Sequence, residues 1–239
     1  MTFAVVPAAG RSTRMGRPKL SLPLAGSTVL QLAITALRSG GADPVVVILA
    51  PEAPDLAELA EAAGASVCRL PSATEDMRET VVHGLDWLEE RFRPRPEDDW
   101  LLAPADCPLL DPEVVRLLRQ HYQDFRDPYK PDAQARETGI ASPSLARRAC
   151  SPSLARRACE RGSILVPVYD GRRGHPVLLA WRHVEAIRAL PPGTGLNVYL
   201  RMHAGEMAEV PVASNGVLCD LDTPEDYERL RQAASRPEV

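Results

Sequence analysis

No stretch of the 239-residue chain approaches the roughly 18 consecutive apolar residues that a membrane-spanning helix requires. Its opening, Met1-Thr2-Phe3, carries neither a basic segment nor a long apolar one, so no secretory signal is expected. An excess of basic charge is missing as well. The formal net charge is -4, which argues against a general nucleic-acid-binding surface and leaves any basic function local. Cysteine is scarce: Cys68, Cys107, Cys150, Cys159 and Cys219 are odd in number and have no C-x-x-C spacing. A disulfide framework and a structural zinc site are thereby excluded, and reduced thiols in a cytoplasmic protein are expected. No Ser/His/Asp or Cys/His nucleophile signature is readable, and no long heptad marks an oligomerisation helix.

Two familiar phosphate loops are also lacking. A dinucleotide fingerprint needs G-x-G-x-x-G, but Ser12 stands where the second glycine belongs. A P-loop needs Gly before its Lys and Ser or Thr after it, but Lys19 lies between Pro18 and Leu20. What the chain does have is a different loop. The apolar run Phe3-Ala4-Val5-Val6 leads directly into Pro7-Ala8-Ala9-Gly10-Arg11-Ser12-Thr13-Arg14-Met15-Gly16-Arg17-Pro18-Lys19. Small residues let a backbone approach a ligand closely, and successive N–H groups form a concavity for anions. A strand-first loop of this kind reads as a polyphosphate seat. The alternative is a basic, flexible loop on an α/β domain.

A hydrophobic content of 45% suffices for one large domain with a substantial core, so residues 1–239 are expected to form a single domain. Short apolar strands alternate with helical patterns, which argues for βαβ units and a mostly parallel sheet. Strands are expected at Phe3–Pro7, Val45–Leu49, Ser66–Leu70 and Trp100–Ala103. Helices are expected after Ser27 as cap, over Asp55–Ala63, from Asp76 to Phe92, and over Pro112–Gln120. Later, Ile164–Val168 and Pro176–Leu179 read as an antiparallel hairpin around Asp170-Gly171. Helical patterns follow at Trp181–Leu190 and Leu196–Ala204. Met207–Val212 and Val217–Cys219 read as short strands, and Pro224 opens a last helix capped by Thr223.

One segment has no clear core pattern. Within residues 126–162, Ser142 to Cys150 is repeated exactly as Ser151 to Cys159. Such a long connection reads as a mobile insert. A tandem duplication tolerated in a surface loop is preferred to a basic lid over phosphates.

Asp106 lies just past a buried strand, at the edge where open α/β sheets bind ligands. Asp220 and Asp222 follow another apolar stretch. If these ends converge, two carboxylates meet the phosphates on the first loop, an arrangement that suits magnesium. The competing readings are a turn-forming Asp106 and a helix-capping Asp222. Gly174-His175-Pro176 is the third constellation, with His175 either structural or chemical.

Taken in order, these sites resemble the MobA-like NTP transferase family, whose opening motif reads approximately L-A-A-G-x-S-x-R-M-G-x-P-K. Pro7–Lys19 matches it almost throughout. The likeness continues through Leu22-Pro23-Leu24, Ala105-Asp106-Cys107-Pro108, Gly174-His175-Pro176 and Asp220 to Asp226. The resemblance implies an α/β, Rossmann-like nucleotidyltransferase fold of three layers, of the nucleotide-diphospho-sugar transferase type. It implies a nucleotide-binding set of Ala8, Ala9, Gly10, Arg11, Ser12, Thr13, Arg14 and Lys19, with Arg14 and Lys19 on phosphates. It implies Mg2+ on Asp106 and, at the second acidic motif, on Asp222. Acceptor contact is assigned to His175. The double-Ala loop looks most like molybdenum cofactor cytidylyltransferases, since guanylyltransferases typically carry Ala-Gly-Gly.

Two segments depart from the pattern. Asp76-Met77-Arg78-Glu79-Thr80 stands where Gly-Met-Ser-Ser is common, and Gly193-Thr194-Gly195 lacks the acid of Gly-Asp-x-Gly. The expected reaction is transfer of NMP from an NTP, with CTP favoured, to a phosphorylated acceptor such as molybdopterin, releasing pyrophosphate. A molybdoenzyme or its chaperone is the implied protein partner. The rivals are a guanylyl- or sugar-phosphate nucleotidyltransferase and a non-catalytic nucleotide- or cofactor-delivery module.

Overall fold

The strands at the centre of the molecule are built from aliphatic and β-branched residues, which suit a pleated surface packed on both faces. The structure is a computed structural model that describes residues 1–10, 15–126 and 162–234. Arg11, Ser12, Thr13 and Arg14, and the segment 127–161 that contains the nine-residue duplication, lie outside the described residues.

In chain order the first half forms β1 (Thr2–Pro7), β2 (Pro23–Leu24), β3 (Ser27–Thr28), α1 (Val29–Ser39), β4 (Val45–Leu49), α2 (Pro54–Ala62) and β5 (Ser66–Arg69). Then come α3 (Met77–Phe92), β6 (Asp99–Leu102) and α4 (Pro112–Arg126). The second half supplies β7 (Ile164–Tyr169), β8 (Arg172–Arg173), β9 (Val177–Ala180), α5 (Val184–Arg188), α6 (Leu196–Met202), β10 (Met207–Pro211) and α7 (Pro224–Ala234). Among the described residues no helix is long and apolar enough to cross a membrane.

The main sheet runs β10-β7-β9-β6-β1-β4-β5, with β8 paired to β7. Strands β1, β4, β5 and β6 are mutually parallel where they pair, and β9 runs antiparallel to both β6 and β7. The alternation of side chains sorts the core into two layers. Ala4, Val6, Val47 and Leu101 face the side covered by α1, α2 and α4. Phe3, Val5, Val46 and Trp100 face the side covered by α3, α5 and α6. The three-layer α/β expectation therefore holds, including the late antiparallel hairpin. From β1 the chain builds outward to β4 and β5, then returns to add β6 on the opposite side of β1. This reversal leaves a crevice outside the carboxyl ends of β1 and β6.

Three local expectations change. Ser27 is not the cap of α1. Ala25 and Gly26 both take positive φ, and this tight turn folds Ser27 back onto Leu24 as a short hairpin. Thr28 then caps α1, accepting from the Gln31 N–H. Val217–Cys219 is not a strand. Residues Asn215–Leu218 make a 3-10 turn, opened by Ser214 accepting from Gly216 N–H at 3.2 Å. Trp181–Leu190 divides into a 3-10 turn over Trp181–His183 and the short α5. There His183 is buried, with Nε2 2.8 Å from Ser163 Oγ and Nδ1 2.8 Å from Tyr199 OH.

Candidate active site

Three loops meet at the switch point of the sheet. Past β1, Ala8 donates its N–H to the Ile48 carbonyl at 2.8 Å, so Ala8 continues the strand rather than offering that donor to a ligand. Past β6, Ala103 N–H bonds the Val5 carbonyl at 3.1 Å, and Pro104-Ala105 carry the chain to Asp106. The third loop follows the 215–218 turn and is pinned to the second, because Leu221 N–H donates to the Asp106 carbonyl at 3.0 Å.

Two glycines permit this approach. A Cβ on Gly216 would lie 1.9 Å from the Leu109 carbonyl oxygen, and one on Gly174 would lie 2.3 Å from that of Val217. Any side chain at either position would push the loops apart. His175 N–H donates to the same Val217 carbonyl at 2.9 Å, which locks the Gly174-His175-Pro176 turn into this corner.

Lys19 sits where the loops converge. Its Nζ donates to the Asp106 carboxylate, to Asp222 Oδ1 at 3.0 Å and to the Leu221 carbonyl at 2.8 Å. Burial opposes the ammonium charge, but the hydrogen bonds and charges of Asp106 and Asp222 outweigh it and hold the Lys19 pKa above its ordinary value. The side chains of Lys19 and Asp106 are only 16% and 17% exposed, whereas Asp222 is 45% exposed at the mouth.

Asp222 does not cap α7. Thr223 and Asp226 do this reciprocally: Asp226 N–H donates to Thr223 Oγ1 at 3.2 Å, and the Asp226 carboxylate accepts the Thr223 N–H and hydroxyl, both at 2.8 Å. That leaves Asp222 to the cleft, with Asp220 close to Asp106. Donor atoms of Asp106, Cys107 and Asp220 all lie within 4.8 Å of one another. The Cys107 thiol donates to Asp220 Oδ1 at 3.1 Å. Burial, reinforced by the negative charge of Asp220, pushes the thiol pKa far up, so Cys107 keeps its proton and orients the carboxylate. His175 stands behind this group. Burial lowers its pKa against the pull of Asp220 and Asp106, and its buried Nδ1 has no hydrogen-bond partner among the described residues.

The resulting cleft encloses about 810 Å³, a volume within the range of small-molecule sites. Its lining includes Lys19, Asp106 and Asp222, the backbone loop Ala8, Ala9 and Gly10, and the side chains of Glu52, Thr74, Asp76 and Thr80. Thr74 and Thr80 hydroxyl oxygens are 2.6 Å apart. The Asp76 side chain caps α3 by accepting from Glu79 N–H at 2.7 Å. Helix α7 fastens the loop that carries Lys19. Tyr227 donates its hydroxyl to the Pro23 carbonyl at 2.6 Å, and the Arg17 guanidinium lies over the Tyr227 ring, 5.1 Å from its centroid.

The structure thus gathers Ala8, Ala9, Gly10, Lys19, Asp106 and Asp222 along one cleft and sets His175 beside Asp220. Cys107 and Thr80 stand in motifs read from the sequence without a role of their own, and Thr74 and Glu52 carry no sequence signal. A lone thiol has no spacing signal, and the two threonines meet across a loop.

The doubly packed sheet, the crevice at its switch point and the acid-lined loop define a Rossmann-like nucleotidyltransferase fold. The chain belongs to the MobA-like NTP transferase family, whose model matches residues 4–163. Among solved structures, a nucleotidyl transferase from Methanothermobacter aligns with a TM-score of 0.67 at 20% identity, covering 100% of this chain and 99% of its own. A cytidylyltransferase from Leptospira borgpetersenii aligns with a TM-score of 0.65 at 19% identity, covering 98% of this chain and 86% of its own. Rv0371c from Mycobacterium tuberculosis, in complex with manganese, aligns with a TM-score of 0.59 at 22% identity, covering 97% of this chain and 98% of its own. A comparison with curated proteins returns no match.

Proposed function

We propose that this chain transfers NMP from an NTP, with CTP as the preferred donor, to a phosphorylated small-molecule acceptor such as molybdopterin, and releases pyrophosphate. The observation that carries this reading is the convergence of Asp106 and Asp222 on Lys19, with Asp220 close to Asp106, in a cleft that the Ala8–Gly10 loop also lines.

A divalent cation, Mg2+ in this reading, fits the donor set. Asp106 and Asp220 offer hard carboxylate oxygens, Asp222 adds a third acid at the rim, and Cys107 stays protonated. Rv0371c, of similar fold, is found in complex with manganese, which supports a divalent ion in the reaction. When bound, the cation supplies charge neutralisation and Lewis acidity at the α-phosphate. The remaining work belongs to the chain. Ala9 and Gly10 leave room for the triphosphate to approach the backbone. Lys19 and Arg14 meet charge developing on the leaving pyrophosphate, Lys19 as a mobile point charge and Arg14 as a planar fork. Thr74 and Thr80, which line the same cleft, offer hydroxyls to the base. His175 borders the acceptor side, and a molybdoenzyme or its chaperone receives the product. A phosphate nucleophile is ionised near neutral pH, so no general base is required and positioning dominates.

The test is pyrophosphate release with Mg2+, each NTP in turn, and molybdopterin. Asp106→Asn is expected to lower the rate by about 100-fold or more, the scale of losing one electrostatic contributor, while its circular dichroism stays native. Near-normal release by that variant removes Asp106 from the mechanism. Release with GTP in place of CTP reassigns the base, and no release with any pair supports a delivery module.

A further inference from the structure

Lys19 makes contacts that a phosphate-binding lysine does not need. Its Nζ donates to the carboxylates of Asp106 and Asp222 and to the Leu221 carbonyl, acceptors that suit an ammonium. This seat is built into the frame. The Leu221 carbonyl belongs to a residue whose own N–H is bonded to the Asp106 carbonyl, and Asp106 and Lys19 are both largely buried.

The Asp106 carboxylate that the ammonium occupies is the one that a divalent cation needs. Magnesium binds carboxylate oxygen at about 2.0–2.1 Å in a demanding octahedral geometry. An ammonium within hydrogen-bond distance of the same carboxylate both blocks that approach and repels the incoming charge, in a half-buried setting where water screens little. The ammonium leaves most readily when another anion receives it. A triphosphate lying along Ala8–Gly10 is such an anion, and four methylenes let Lys19 swing between the two without moving its backbone.

We infer that Lys19 is an internal counter-ion that holds the cation position of the free protein and releases it when triphosphate arrives, so that one side chain couples metal binding to nucleotide binding. This rests on the nucleotidyl-transfer reading above for the identity of the anion, but not for the occupancy of the acids. Coupling of this kind is reciprocal: nucleotide tightens metal, and metal tightens nucleotide. Metal then enters with the triphosphate rather than before it. Lys19 is in this respect a positioning residue as well as a phosphate ligand.

The experiment titrates Mn2+ alone into the full chain, reading free Mn2+ by electron paramagnetic resonance, for wild type, Lys19→Met and Lys19→Gln. The series is repeated with a non-hydrolysable CTP analogue. Without nucleotide, both variants are expected to bind Mn2+ at least about fivefold tighter than wild type, the lower end of measured couplings. Adding the analogue is expected to tighten Mn2+ on wild type by a larger factor than on either variant. Asp106→Asn in the Lys19→Met background abolishes the gain. Equal or weaker Mn2+ binding by a natively folded variant, judged by near-ultraviolet circular dichroism, overturns the inference, and Lys19→Gln decides if Lys19→Met does not fold. Turnover by the wild type together with unchanged Mn2+ affinity in the variants sinks the inference alone. Tighter Mn2+ binding in a protein that turns over no nucleotide upholds the occupancy and sinks the nucleotidyl reading alone.

Discussion

Tyr227 shows how much a single ring contributes to a loop some 200 residues away in sequence. Its hydroxyl holds the Pro23 carbonyl, its face receives Arg17, and its body is buried against the layer that includes Leu20 and Leu24. These roles separate by substitution. Tyr227→Phe keeps ring and cation contact but strands one carbonyl, a loss of about 1 kcal/mol. We expect a melting temperature lower by about 2–4 °C in a protein of this size, with KM for the triphosphate raised more than kcat is lowered. Tyr227→Ala empties the buried site as well and is expected to cost about 3–5 kcal/mol, as for other large aromatic truncations. Equal melting temperatures for the two variants would show that the ring's burial adds nothing.

Among elements, the 3-10 turn over Asn215–Leu218 is the one on which the acid cluster depends. It touches the Asp106 loop through Gly216 and the His175 turn through Val217. Gly216→Ala forces its Cβ against the Leu109 carbonyl, backbone against backbone, with no rotamer to absorb the clash. Destabilisation of about 1–3 kcal/mol is expected, as for other overpacked sites, together with weaker Mn2+ binding. Gly205→Ala is the matched control. Nothing lies within 4 Å of its Cβ, and a change within about ±0.5 kcal/mol is expected. Urea unfolding of the two variants side by side gives the comparison.

The same turn marks where the sequence stops being readable. Val45–Leu49 was legible because five consecutive β-branched and aliphatic residues have few homes except a strand covered on both faces. Val217–Cys219 offers three apolar residues and no flanking signal, and its conformation is decided by Gly174 and Leu109 from distant segments. The cap of α1 moved to Thr28 because Ala25-Gly26 is not a recognisable hairpin dipeptide. In the site, Asp106 was legible from its place beyond a strand end. The division of labour between Asp220, beside Cys107, and Asp222, on Lys19, depends on which way each carboxylate leaves a short irregular loop, and no spacing rule encodes that.

For the molecule as a whole, two buried groups at the other end of the sheet set opposing pH dependences. Burial pushes the Asp99 carboxyl up to about 6 from an ordinary 3.8, against the pull of its Thr2 hydrogen bond and of nearby positive charge. Between those values the unfolded chain gives up its proton first, so stability falls as pH rises and stays lower above 6. Burial lowers His183 to about 4 from 6.5. Between those values the unfolded chain binds the extra proton, so this contribution is complete above 6.5 and is lost as pH falls toward 4. Each shift is worth on the order of 3 kcal/mol, with opposite sign over nearly the same window, and the two flatten each other. Asp99→Asn removes one. Its urea midpoint is expected to exceed wild type at pH 7–8 and to climb more steeply between pH 4 and 6.5. A profile parallel to wild type would show that Asp99 carries no such penalty.

The bond from Lys19 to the Leu221 carbonyl joins residues 202 positions apart. In a chain made on the ribosome, Lys19 emerges long before residues 220–222, which complete the acid cluster. Until then Lys19 has neither Asp222 nor the Leu221 carbonyl, and the Asp106 loop lacks its clamp. The acid corner therefore closes only once segments about 200 residues apart have met, so its geometry reports on the folding of the whole sheet edge rather than on any local element.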